Sequence, residues 1–140
     1  MKKLAMILAI LSAPLCAENY TTVGIGPYLL LPNVGAGMVE KIDIGELDLN
    51  ANASFANSFG ILELKASLRI PFKEFYVGPS THFNYVFAKD HESLTNCGVG
   101  IVIGKAFEGS FIDMSLQYDV VFSRQYPEVP ALRIRYGVFY

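Results

Sequence analysis

The chain has 140 residues, 11 basic against 13 acidic side chains and two cysteines, a balance that gives no electrostatic case for nucleic acid. Mean hydropathy is +0.36, high for a water-soluble domain, yet after residue 17 no apolar run approaches the ~20 residues that a transmembrane helix requires. Apolar surface with no helix to carry it points to strands.

The first residues, "MKKLAMILAILSAPLCAENY", set two lysines before an apolar run from Leu4 to Leu11, then small or apolar residues before the first carboxylate at Glu18. This is the layout of a secretory signal peptide, too short for a stop-transfer helix, and cleavage is expected after Ala17. Cys16 raises lipid modification as an alternative, which the bulky Leu15 before it disfavours. The exported remainder, 18–140, is about 123 residues and fits one domain. It retains only Cys97, so no internal disulfide is available and stability must come from packing or from lipid.

From here the chain reads at period two. "TVGIGPYLLL" and "VGAGMVEK" alternate weakly, with Gly24, Gly26, Gly35 and Gly37 marking the second face. In "LDLNANASFA", 47–56, Leu47, Leu49, Ala51, Ala53 and Phe55 oppose Asp48, Asn50, Asn52 and Ser54. In "ILELKASLRI", 61–70, Leu62, Leu64, Ala66, Leu68 and Ile70 oppose Glu63, Lys65, Ser67 and Arg69. "FYVGPSTHFNYVF", 75–87, sets Phe75, Val77, Phe83, Tyr85 and Phe87 against Tyr76, Gly78, Ser80, His82 and Asn84. "NCGVGIVIGKAF", 96–107, sets Val99, Ile101 and Ile103 against Gly98, Gly100, Val102 and Gly104. In "FIDMSLQYDVVF", 111–122, Ile112, Met114, Leu116, Tyr118, Val120 and Phe122 oppose Asp113, Ser115, Gln117 and Asp119, with apolar exceptions on the polar face only at the ends. The last segment sets Leu132, Ile134, Tyr136, Val138 and Tyr140 against Arg133, Arg135 and Gly137.

Eight strands result, joined by turns expected at "PN" near 32, "DIGE" near 43, "NSFG" near 57, "PFKE" near 71, "AKDHESLT" near 88, "EG" at 108 and "SRQYPEV" near 123. No segment has helical period, and no second domain or linker is visible. A two-residue turn at Glu108 and Gly109 places Lys105 opposite Ile112 and Ala106 opposite Phe111. A turn centred on Phe72 and Lys73 places Leu68 opposite Val77 and Glu63 opposite His82. The same counting sets Asp48 opposite Arg69, and a turn within 123–128 brings Asp119 opposite Arg133.

Alternation alone does not say which face is inside, but bulk does. The apolar face carries more aliphatic and aromatic volume than an eight-stranded barrel can enclose, whereas Gly, Ser, Asn and a few charges suit a narrow interior. The polar face then points inward with Lys41, Lys65, Arg69, Arg133 and Arg135 against Asp48, Glu63, Asp113 and Asp119, and with His82 beside Glu63. Such charges in a low-dielectric interior require partners. The apolar face keeps only Glu40 and Lys105, both near strand ends, where lipid tolerates them. Tyr28, Phe75, Tyr85, Phe87, Phe107, Phe122, Tyr136 and Tyr140 fall near strand ends, as girdle aromatics do.

With its signal peptide, eight alternating strands, short turns and the ending "RIRYGVFY", the chain resembles the small eight-stranded outer-membrane β-barrels of Gram-negative bacteria, of the outer-membrane protein A transmembrane-domain type. The resemblance covers residues 20–140. It implies an all-β, antiparallel, up-and-down transmembrane barrel in the outer membrane, in contact with outer-membrane lipid, with both termini in the periplasm. It also implies that the barrel-assembly machinery reads the last strand through Tyr136, Val138 and Tyr140, although such chains more often end on Phe. The short loops leave no room for an adhesin-like surface.

Chemistry is sparse. His91 and Ser93 share the His-x-Ser spacing of lipid A hydrolases, but "KDHESLT" reads as an exposed loop tip. His82, Ser80 and Glu63 form a second hydrolase candidate, because a hydroxyl, an imidazole and an orienting acid share one face; a hydrogen-bond network is the simpler reading. The pairs "GIG", "GAG" and "GVG" have no helix after them, so they are not phosphate loops, and they read as small inward residues that let a narrow barrel close. No cofactor or metal is expected. The leading expectation is an outer-membrane barrel with a charge-paired, non-conducting interior; an outer-membrane lipid-modifying hydrolase and a soluble periplasmic barrel holding an apolar ligand are the alternatives. The oligomeric state is left open.

Overall fold

A computed structural model describes residues 17–26, 31–89, 91–120 and 130–140. Eight strands follow in order: β1 (Glu18–Ile25), β2 (Pro32–Ile42), β3 (Gly45–Phe55), β4 (Phe59–Phe72), β5 (Phe75–Ala88), β6 (His91–Phe107), β7 (Ser110–Val120) and β8 (Ala131–Phe139). Each pairs antiparallel with the next, and β1 pairs with β8, so the sheet closes into a barrel. Closure runs from Tyr20 opposite Phe139 to Ile25 opposite Ile134, and the Tyr140 N–H donates to the Asn19 carbonyl at 3.0 Å. The chain thus hydrogen-bonds to its own first strand up to its last residue, and the edge that an open sheet would expose is gone. The signal-peptide expectation covers 1–17, of which 1–16 lie outside the described residues, and Tyr28, Phe122 and the 123–128 turn fall on other segments outside them.

The expected faces hold in every described strand. Outward side chains are bulky and exposed, such as Val23 at 57 %, Leu64 at 61 % and Ile101 at 57 %, whereas Arg69, Arg133 and Arg135 on the inward face are each 1 % exposed. Phe75, Tyr85, Phe107, Tyr136 and Tyr140 all stand on the outer surface. Lys41 departs from expectation: it lies on the inward phase but is exposed at the end of β2, one pair before the turn.

Turn positions correct several pairings. Lys105 does face Ile112, and Ala106 faces Phe111. The β4–β5 turn, however, is Lys73–Glu74 rather than Phe72–Lys73, with Lys73 in the left-handed region at φ 58°. Moving a turn by one residue moves every partner by two, which preserves the faces and changes the neighbours. Ile70 therefore faces Val77, Lys65 faces His82, and Glu63 faces Asn84. Across β3–β4, Asp48 faces Ser67 and Arg69 faces Glu46. Across β7–β8, Arg133 faces Ser115 and Arg135 faces Asp113, so Asp119 is not opposite Arg133. Pro32 and Asn33 belong to β2 rather than to a turn, and β6 begins at His91, so residues 91–95 are strand and not loop.

Candidate functional site

The chemistry of this chain is inside the barrel. Four acids (Asp48, Glu63, Asp113, Asp119) and four bases (Lys65, Arg69, Arg133, Arg135) are buried there, with His82. They are arranged in tiers from the end that carries the tight turns and the termini to the end that carries the longer loops.

The lowest tier is aromatic. Tyr20 and Phe111 meet edge to face at 5.0 Å, and Phe139 closes on them from 5.9 and 5.4 Å. Val39 completes this cluster. The Arg69 guanidinium lies over these rings, 4.3 Å from the centroid of Phe111 and 4.8 Å from that of Tyr76, close enough for cation–π attraction.

Above the rings, two aspartates hold two arginines. Asp48 accepts from Arg69 Nη2 at 2.9 Å, from Arg135 Nη2 at 2.6 Å and from the Tyr20 hydroxyl. Asp113 accepts from Arg135 Nε at 2.7 Å and Nη2 at 2.8 Å, and from Tyr76 Oη at 3.0 Å. Arg69 also stands 3.8 Å from Asp113. Six of the eight strands contribute to this one tier, so it links the wall across the lumen as well as around it.

The next tier centres on Glu63, which accepts from Arg133 Nη1, from Asn52 Nδ2 at 3.4 Å and from Gln117 Nε2 at 3.3 Å. Lys65 lies between the tiers, 3 % exposed, and its Nζ donates to no group among the described residues. Toward the loop end His82 Nε2 meets Asp119, which also accepts from Asn96 Nδ2 at 3.2 Å. Asn33 and Ser54 both donate to the Gly26 carbonyl, at 3.0 and 3.2 Å.

Inward glycines make these reaches feasible. A Cβ on Gly98 would lie 2.7 Å from His82 Cε1, and one on Gly104 would lie 2.4 Å from the Tyr76 ring. Gly98 stands between His82 and Asp119 in the pairing, and Gly104 between Tyr76 and Asp113. In each case β6 supplies a bare stretch of backbone over which a β5 side chain reaches an aspartate on β7. The glycine pairs therefore do more than let the barrel close.

Apart from Lys41, each charged residue predicted inside is buried, as is His82, but the partners differ from the sequence reading. Asp48 does meet Arg69, diagonally. Glu63 meets Arg133 instead of His82, Asp119 meets His82 instead of Arg133, and Arg135 meets Asp113 and Asp48. In the hydrolase candidate, the acid against His82 is Asp119 and not Glu63, and neither Ser80 Oγ nor His82 Nδ1 has a hydrogen-bond partner among the described residues. Ser93 is an exposed strand residue. Sequence reasoning gave no role to Tyr20, Tyr76, Phe111, Asn52 or Gln117. Tyr76 and Phe111 were visible as bulky residues on a face otherwise made of small ones.

On the outer wall Tyr136, Val138 and Tyr140 stand exposed on one face. Lys105 donates to Glu74 at 2.8 Å and lies 5.5 and 5.8 Å over Phe75 and Phe107. The hydrogen bond from Lys105, together with its charge, holds the Glu74 carboxyl below the ordinary range.

No protein-family model matches the sequence, and no curated protein matches it. Among solved structures the chain is similar to the N-terminal β-barrel domain of Pseudomonas aeruginosa OprF, with 15 % identity, 88 % of this chain and 96 % of that chain covered, and a TM-score of 0.59. It also aligns with the solution structure of the de novo designed TMB2.3, at 11 % identity over 89 % of this chain and 92 % of that one, with a TM-score of 0.45. The fold is thus the closed eight-stranded antiparallel barrel that the OprF domain also adopts.

Proposed function

We propose that this chain is an integral outer-membrane protein, exported by its N-terminal segment, with an interior closed to solutes and a structural or accessory role rather than an enzymatic one. One observation carries the reading: the barrel is inverted, with ionic and amide groups buried inside and an apolar band around its outside. Such a band exceeds by far the few hundred Å² that soluble monomers tolerate, and hydrocarbon is the solvent that suits it. The charged tiers and the aromatic cluster beneath them fill the lumen, so the pure protein in planar bilayers is expected to give no stable openings; stable single-channel openings would refute the closed interior. Fractionation tests the location. A folded barrel in the outer-membrane fraction resists detergent and changes its gel migration after boiling, whereas a soluble ligand carrier stays in the supernatant once membranes are pelleted.

His82 fits this reading as part of the wall-to-wall network, since it is buried and engaged by Asp119. Alanine at Ser80, His82 or Glu63 is expected to leave the lipid A profile of the cell unchanged. By the same reading Tyr136, Val138 and Tyr140 address the chain to the barrel-assembly machinery.

A further inference from the structure

Every buried carboxylate in the lumen is already engaged, and donors are left over. Asp48 is held by Arg69, Arg135 and Tyr20, Asp113 by Arg135 and Tyr76, Glu63 by Arg133, Asn52 and Gln117, and Asp119 by His82 and Asn96. Yet Lys65 Nζ and Arg133 Nε and Nη2, all buried, donate to nothing among the described residues. Arg133 engages Glu63 through Nη1 alone. Cationic donors taken out of water are costly unless an acceptor meets them.

Both cations stand beside the same belt of the lumen. Arg133 faces Ser115 across β7–β8, one inward step above the Arg135–Asp113 pair. Lys65 is one inward step above Ser67 on β4 and lies within range of the charges of Glu63, Asp113, Arg133 and Arg135. Here the wall is small: Ser67, Ser80 and Gly100 lie side by side on β4, β5 and β6. Ser80 Oγ stands over Gly100, where an added Cβ would meet it at 3.1 Å. Gln117, next to Gly100, turns its amide to Glu63. The Ser80 and Ser115 hydroxyls have no partner among the described residues. Below the belt Arg69 and Arg135 balance Asp48 and Asp113, but Lys65 and Arg133 have only Glu63 between them, which leaves one positive charge in excess.

We propose that Lys65, Arg133, Ser80 and Ser115 bind one halide ion, chloride by class, inside the barrel. Ammonium, guanidinium and hydroxyl groups are the donors that suit such an ion, and one negative charge cancels the excess. Glu63 beside the site disfavours a dianion such as phosphate by like-charge repulsion, which is strong in a low-dielectric interior. The site depends on the buried interior and not on the membrane reading. With the lumen closed, the ion is taken up as the barrel forms, and it acts as a structural acceptor that completes the network between two tiers.

The test is urea unfolding and refolding of the full mature barrel in phosphatidylcholine vesicles, with chloride replaced by gluconate at constant ionic strength. Raising chloride from about 30 to about 300 mM is expected to raise the folding equilibrium constant by at least about threefold, approaching tenfold at saturation. Lys65→Met removes the excess charge, so it is expected to abolish the chloride response and to be at least as stable as wild type in gluconate. Lys105→Gln, which removes a cation from the outer surface, is expected to respond as wild type does. A wild type indifferent to chloride overturns the proposal, as does a response that Lys65→Met retains in full, which would be a general salt effect. Ser115→Ala keeps the charges and is expected to need more chloride for the same gain; if Lys65→Met forms no barrel by gel migration, an unaltered response in Ser115→Ala overturns the site. Crystals of the wild type grown in bromide should place one anomalous scatterer against Lys65 Nζ and Arg133, and bromide found only on the outer surface also overturns it.

Discussion

Arg135→Met tests whether the central tier holds the barrel together. The guanidinium makes three bonds to two carboxylates, Asp113 through Nε and Nη2 and Asp48 through Nη2, and it is 1 % exposed. Methionine keeps much of the stem volume and removes the charge, leaving Asp48 and Asp113 to share Arg69, which is 2.9 Å from one and 3.8 Å from the other. Removing one partner of a buried pair typically costs about 3–5 kcal/mol, because the other charge is stranded without water. Folded domains have only about 5–15 kcal/mol in total. At a urea slope of about 1–3 kcal/mol per molar, the midpoint should therefore fall by at least about 1 M. The assay is urea unfolding of the barrel in vesicles, read by tyrosine fluorescence and by gel migration. The control is Arg135→Met with Asp113→Asn, which removes the stranded charge with its partner and should recover more than half of the loss. A loss below about 1 kcal/mol for the single variant, or a double variant no better than the single, would mean that the tier is screened or hydrated enough to stand without the pair.

Other expectations follow from the same geometry. Gly98→Ala and Gly104→Ala each force a β5 side chain off its aspartate and should cost about 1–3 kcal/mol by overpacking; a midpoint within error of wild type for both would show that the barrel wall yields freely. Removal of Tyr140 takes away the hydrogen bond to Asn19 and the last outward aromatic. Its expected result is a lower amount of barrel in the outer membrane by immunoblot, and unchanged levels would count against the assembly address. Glu74, in the β4–β5 turn, has its carboxyl held low by Lys105. A depressed folded-state value means that the pair supports the fold at neutral pH and loses that support as acid protonates Glu74 below the ordinary carboxylate range. Glu74→Gln should flatten this part of the acid limb and leave neutral stability almost unchanged, because the pair is exposed.

What the sequence disclosed and what it hid divide along one physical line. The side-chain period of two is a property of each strand alone, so the faces of residues such as Lys65, Asp113 and Arg133 were legible without any partner. Register depends on where a turn begins, and Lys73 in a left-handed conformation moved the β4–β5 turn by one residue and so replaced Glu63 with Lys65 opposite His82. Contacts across the lumen depend on closure, which no local pattern encodes: Glu63 on β4 finds Arg133 on β8, 70 positions away.

Between those extremes the inward glycines carried a signal that their role in barrel closure does not exhaust. A glycine on a face of larger residues leaves a bare stretch of backbone, and in a narrow barrel the neighbouring strand's side chain must cross it, since an inward group of any length has nowhere else to go. Given the β5–β6 and β6–β7 registers, Gly98 and Gly104 assign His82 to Asp119 and Tyr76 to Asp113. On the other side of the barrel Gly37 leaves room for the Tyr20 ring, which a Cβ there would meet at 2.5 Å, and Tyr20 reaches Asp48 on β3. Small residues in the inward phase of a strand thus mark where the network passes from one side of that strand to the other.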